Sequence, residues 1–314
     1  EAYNPLLGFL YGWSFFTVIQ TATIAAVGVA FSKFLAYLIP GVSEDLVALD
    51  LGFITISPAQ LVSIALIVLL TYINTRGVKE GKFIQTSFTV TKLLSLFGLI
   101  IFGFIMLKPD IWEANWANAW EMKTIASDNS TTPIFGVAIL GAIAASMVGS
   151  IFSSDAWNNV TFIAGEIQDP KKNIPKSLFF GTLIVTVIYV LANIAYLALL
   201  PVQGSPDGLN PIDQGMLFAS NDRVGASAAY VIFGDAGILL MAGLIMVSTF
   251  GCNNGLILAG SRLFYAMSKD GLFFKSAAQL NSNGVPARAL WIQCAWASVL
   301  CLSGKYGDLL TYST

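Results

Sequence analysis

The stretch Ser150-Ile-Phe-Ser-Ser-Asp-Ala-Trp-Asn-Asn-Val-Thr-Phe-Ile-Ala-Gly-Glu-Ile-Gln-Asp-Pro-Lys-Lys-Asn-Ile-Pro-Lys176 decides how the rest of the chain is read. Ile134 to Phe152 before it is an apolar run of membrane-span character. The polar residues Ser153, Ser154, Asp155, Asn158 and Asn159 follow at once, and the chain is apolar again to Gly165. An aspartate at the centre of a spanning helix carries a penalty of roughly 3 kcal/mol, so such carboxylates face a protein interior or a water-filled cavity. The alternative is that Asp155 sits hydrated at the membrane surface. The return to apolar sequence after it favours a span broken in the middle, and backbone broken at membrane depth is tolerated where it lines a cavity.

Composition agrees. Of 314 residues, 56% are hydrophobic and 11% charged, with a mean hydropathy of +0.73. A soluble domain carries about 25% charged residues. The net charge of -2 and the lack of a basic, aromatic-interleaved surface exclude nucleic acid as a partner. There is no histidine, which removes Ser-His and Cys-His catalysis. Cys252, Cys294 and Cys301 lie in apolar runs without a CxxC pair, so neither a metal site nor a cofactor is expected.

Outward from the broken span, the pattern predicts seven spans in one transmembrane domain: 5–39, 60–74, 83–107, 134–165, 177–200, 225–268 and 289–303, with an eighth beginning after Lys305. Pro5 suits a helix start and Pro175 opens the fifth span. Small residues at 21–30 permit close helix contact, and Gln20 is mid-span beside them. Lys92 lies about 14 Å into the third span, too deep to snorkel easily, and so points into the bundle. Trp112, Trp116 and Trp120 recur every four residues, as in a short interfacial helix or a packed lid. Ser248 to Gly255 forms a polar insert in the sixth span, with Asn253 and Asn254 as mid-span donors and acceptors.

Alternate loops carry Arg76, Lys79, Lys82; Lys171, Lys172, Lys176; and Arg262, Lys269, Lys275, Arg288. The intervening loops carry only Lys108, Lys123, Arg223 and Lys305. The positive-inside rule makes the first set cytoplasmic in a multi-pass protein of the cell membrane. An intramembrane lysine, a broken span with a carboxylate and an Asn-Asn-Gly insert make a polar centre that suits a small zwitterion. A channel would show a filter or a ring of like charges. A membrane enzyme would need a nucleophile with its base. Transport leads both.

Three motifs in order then resemble one family. FSSDAWNNVTFIAGEIQDPKKNIPKSL is similar to the sixth-helix signature of the amino acid-polyamine-organocation superfamily, in its L-type amino acid transporter-like, bacterial branch. STFGCNNGLILAGSRLFYAMSKDGLF resembles the eighth helix of that branch, and TKLLSLFGLI its fifth with the buried lysine. The resemblance covers nearly the whole chain and implies an all-α, LeuT-like inverted-repeat fold working by alternating access. It also implies a fragment lacking the family's first two helices and its last.

By the same resemblance, Phe152 is the aromatic gate above the substrate. The backbone of Ser153, Ser154 and Asp155 accepts hydrogen bonds from the substrate ammonium, and Asn158 contributes nearby. Lys92 ties helices together, with Ser248 and Asn254 facing its region. Ala156 stands where glycine is common, and Asp155 is expected to cap freed amides or to respond to pH, capping being favoured. Glu166 and Arg262 leave the membrane on one face, as an inner gate pair. The implied activity is transport of small neutral amino acids, as an exchanger or alternatively a proton symporter. The lipid bilayer is the other partner. No heavy-subunit glycoprotein is expected, since the loop Pro40 to Pro58 has no cysteine to join one.

Overall fold

The computed structural model describes residues 4–50, 52, 55–126, 130–220, 223–304 and 309, with the side chains of 78–85, 152 and 166 outside that description. The chain is helical almost throughout. α1 (Pro5–Ser14) passes through a π-turn (Phe15–Ile19) into α2 (Gln20–Leu35), and α3 (Pro58–Arg76) and α4 (Val78–Ile105) follow. The short α5 (Pro109–Ala117) precedes a small hairpin, β3 (Lys123–Ile125) with β4 (Thr131–Pro133), and a second hairpin pairs β1 (Leu49–Asp50) with β2 (Thr55–Ile56). Then come α6 (Ala138–Ser153), a 3-10 segment (Trp157–Glu166), α7 (Pro170–Leu199), α8 (Pro211–Gln214), α9 (Val224–Phe233), α10 (Asp235–Lys269) and α11 (Ala287–Ser303). Among the described residues five helices are long and apolar enough to cross a membrane: Pro5–Leu35, Pro58–Arg76, Thr86–Ile105, Pro170–Leu199 and Asp235–Lys269.

Several boundaries differ from the expected spans, each for a local reason. The run 225–268 is two helices, because Gly234 at φ 64° lets the chain turn a corner after α9. The Asn-Asn-Gly insert does not break α10, which runs unbroken across 248–255. Pro175 does not open its helix; α7 starts at Pro170, where the carbonyl of Asp169 accepts from the amides of Lys172 and Asn173. Of the three tryptophans, Trp112 and Trp116 pair on α5 with ring centroids 5.5 Å apart, whereas Trp120 lies beyond the helix end and is 87% exposed.

The chain forms two compact units. The first comprises 1–91, 152–181 and 245–314; the second comprises 92–151 and 182–244. The first unit's core is Ile24, Val29, Ile67, Leu70, Ile257 and Leu290, from α2, α3, α10 and α11. Close approach is possible because the facing residues are small. A Cβ on Gly28 would meet Ser63 Cβ at 3.4 Å and Ile67 Cδ1 at 3.5 Å. In the second unit Ile100 packs on Ile188 and Ala192, and Gly103 lies so near Ala195 that an added Cβ would stand 2.9 Å from its methyl. Large apolar side chains such as Leu94 and Ile105 stay exposed, as a lipid-facing surface requires.

Side-chain amides hold the first unit together. Gln20 Nε2 donates to Leu256 O at 2.7 Å, and Asn253 Nδ2 to Ile24 O at 3.2 Å. Asn74 Nδ2 donates to its own helix at Leu70 O, 2.9 Å, and across to Asn254 Oδ1, 2.8 Å. All four side chains are buried. Asn74→Leu in the full-length protein is expected to cost about 1 kcal/mol, because it strands the Asn254 amide, and the double variant with Asn254→Leu is expected to recover part of that loss. Melting temperatures of the purified proteins in detergent check both; a double variant less stable than the sum of the singles would overturn the account.

Candidate functional site

The broken span begins where α6 ends at Ser153. Ser154 and Asp155 form a turn, and Ala156 takes a left-handed conformation with φ 65° and ψ 4°. Left-handed backbone costs an L-residue with a Cβ about 1 kcal/mol relative to glycine, which gives a physical reason for a glycine at such a position. The chain then winds as a 3-10 segment, with Asn159 N donating to Ala156 O at 3.1 Å and Thr161 Oγ1 to Asn158 O at 2.7 Å. Ile163 departs from helical geometry (φ -102°, ψ 17°), so the segment is kinked a second time. The expected break is therefore present, and its second half is a tighter coil than an α-helix.

Within the first unit the break faces α1 and its π-turn. Asn158 Nδ2 donates to the Tyr11 hydroxyl at 3.4 Å. Phe162 meets Phe15 edge-on with centroids 5.1 Å apart, and Phe15 in turn lies 5.8 Å from Tyr11. The π-turn places these rings. Within the turn the carbonyl of Thr17 accepts from Trp296 Nε1 at 2.7 Å, while Thr21 Oγ1 donates five residues back to Phe16 O at 2.7 Å. π-turns inside α-helices are often functional. Tyr11 and Phe15 are the site residues that sequence reasoning missed, although their spacing of four was a readable cue.

The remaining expected residues are distributed as follows. Ser153, Ser154 and Asp155 are exposed at the turn, and Asn158 is half-buried. The Asp155 carboxylate accepts no hydrogen bond among the described residues, so the capping favoured for it is not made. The side chains of Phe152 and Glu166 lie outside the described residues. Lys92 is half-buried on α4 in the second unit; Ser248, Asn254 and Arg262 lie on α10 in the first, Ser248 half-buried and the other two buried. Asn254 is engaged with Asn74, so it serves α3–α10 packing. Among the described residues no His, Cys, Asp or Glu cluster could hold a metal ion.

A helix interrupted at a left-handed turn beside aromatic rings, in a chain with several helices long and apolar enough to cross a membrane, is the kind of break that membrane transporters use. Comparison with known proteins makes this specific. The family model for amino acid permeases matches residues 1–313, and the chain belongs to that family, an all-α, multi-pass membrane class of transporters rather than enzymes. It is 28% identical over 269 residues to the serine/threonine exchanger SteT of Bacillus subtilis, covering 86% of this chain and 51% of that protein. It is 24% identical over 314 residues to the b(0,+)-type amino acid transporter 1 of Oryctolagus cuniculus, covering 99% and 57%. Over 317 residues it is 27% identical to the large neutral amino acids transporter small subunit 2 of the same animal, covering 99% and 52%. The chain thus spans about half the length of the curated relatives it matches.

Three substitutions test the local geometry. Ala156→Gly should raise the melting temperature slightly by relieving the left-handed strain, and Ala156→Val should lower it, since a β-branched residue tolerates that conformation worst. Asp155→Asn, at an exposed carboxylate that accepts no hydrogen bond among the described residues, should leave the melting temperature unchanged; a clear drop would mean that Asp155 holds the turn.

Proposed function

We propose that the full-length protein carries small neutral amino acids across the cell membrane by alternating access, as an exchanger. The observation that carries this reading is the interruption after Ser153, where the α-helix stops and a left-handed residue leads into a 3-10 segment. Carbonyls at a helix break can accept from an ammonium, and an amino acid presents one. In this reading the backbone of Ser153, Ser154 and Asp155 receives the substrate ammonium, Phe152 closes over it, and Asn158 stands beside it. Tyr11 and Phe15 supply the facing wall. The aromatic wall fits an apolar or small side chain.

The family membership supports the substrate class, and the relative named as a serine/threonine exchanger supports exchange over proton symport. Lys92, Ser248 and Asn254 are proposed to couple the helices during the cycle, and Glu166 with Arg262 to close the inner side. The basic loops are cytoplasmic in this reading. A heavy-subunit glycoprotein is not part of it, because 40–58 offers no cysteine for a covalent link.

Uptake of labelled serine, alanine and leucine into proteoliposomes holding the full-length protein tests the proposal. Uptake should require unlabelled amino acid inside and be indifferent to a pH gradient. Uptake driven by the gradient alone would establish symport, and no uptake of any amino acid would remove the substrate class. A double-mutant cycle on Glu166→Gln and Arg262→Gln should show non-additive loss of uptake, and additivity would dismiss the gate pair.

A further inference from the structure

A recess lies in the second unit. It is a cavity of about 450 Å³ between α5, the strand leading into β3 and the end of α7. That volume is within the range of small-molecule sites. Its floor is pinned. Asn115 Nδ2 donates to Leu197 O and Leu200 O, each at 2.9 Å, and its Oδ1 accepts from Val202 N at 2.9 Å. The backbone is fastened as well, with Lys108 N donating to Ala198 O at 3.0 Å. With its amide committed on three sides, Asn115 holds α5 on the end of α7.

The opposite wall is an extended strand. Ile134 N donates to Met122 O at 2.9 Å, which continues the β3–β4 pairing one residue beyond Lys123. Alternation along such a strand turns every second residue to one side. Glu121, Lys123 and Ile125 are those residues, and all three line the cavity. The recess therefore displays an acidic and a basic residue on one side of the strand, with their Cα atoms about 7 Å apart along the backbone. Neither forms an ion pair among the described residues. The half-exposed ring of Trp116 and the amide of Gln203 complete the lining.

We infer that this recess binds a small zwitterion, with its ammonium on Glu121 against the Trp116 face and its anionic group on Lys123. A plain anion or cation would match one of the two charges and confront the other, whereas a zwitterion satisfies both. An aromatic face beside a carboxylate reinforces the ammonium end. Two sources carry this chemistry. One is a free amino acid; the other is a phosphatidylethanolamine headgroup, since the spanning helices α4 and α7 end beside the recess at Ile105 and Leu199 and the Trp112–Trp116 pair is of the kind that settles at a membrane border. The inference goes beyond the exchange reading, and its measurements do not use uptake, so either can fail without the other.

The test uses the purified full-length protein with Glu121→Gln, Lys123→Gln and the charge-swapped double variant Glu121→Lys/Lys123→Glu. L-alanine binding is followed by titration calorimetry in detergent. Retention of phosphatidylethanolamine is followed by native mass spectrometry after reconstitution with phosphatidylcholine alone or mixed with phosphatidylethanolamine. Each single variant should weaken one of these probes by about tenfold, and the swap should restore it, because the zwitterion turns end for end. The restored double also separates lost binding from lost folding. Loss confined to an L-alanine binding class identifies a free amino acid, and loss confined to phosphatidylethanolamine identifies the lipid. Single variants that bind both probes like the parent, or a swap that restores neither, would overturn the inference.

Discussion

The amide contacts of the first unit are what the rest of that unit depends on. Between helices in lipid there is little hydrophobic driving force, since a lipid tail is as apolar as leucine, and association rests on close packing and interhelical hydrogen bonds. Gln20, Asn74 and Asn253 make those bonds to partners on other helices. Their carbonyl partners are within reach because small residues such as Gly28 bring the backbones close. The cytoplasmic-side loop of the proposed orientation is fastened to the same frame, for Asn281 Nδ2 donates to Thr75 O at 2.8 Å at the end of α3. Against such a frame a segment outside α-helical bonding, such as 154–166, can keep a defined place.

Much of this was legible before the structure. Polar residues after an apolar run, followed by a second apolar stretch, place the break at Ser153 to Asp155, and the turn falls there. The signal works because an unpaired carboxylate or broken backbone is expensive in hydrocarbon, so the chain accepts one only where something uses it. The same logic misread Asn253 and Asn254. Their polarity suggested part of a polar centre for a solute, yet both side chains are engaged with neighbouring helices and α10 continues past them. A polar insert records that a partner exists and leaves open whether that partner is a solute or another helix.

Other features leave little trace in sequence. The corner at Gly234 lies inside a run with no charge before Asp235, so only the left-handed φ reveals it. The recess beside α5 depends on which side of an extended strand Glu121 and Lys123 occupy, and that register is set by pairing to a strand ten residues away. The π-turn at Phe15–Ile19 is equally hidden, because it contains neither glycine nor proline and its residues continue the apolar run on both sides.

That hidden turn has a geometric consequence. An inserted residue moves everything beyond it by about 100° around the helix axis. Tyr11 before the turn and Phe15 at its first position address the interrupted segment, and Gln20 and Ile24 after it address α10. A regular α-helix of the same sequence would carry both sets at fixed α phase and could not serve the two directions at once. The first membrane helix thus works as two rotors on one shaft, keyed at Thr17 by the indole of Trp296.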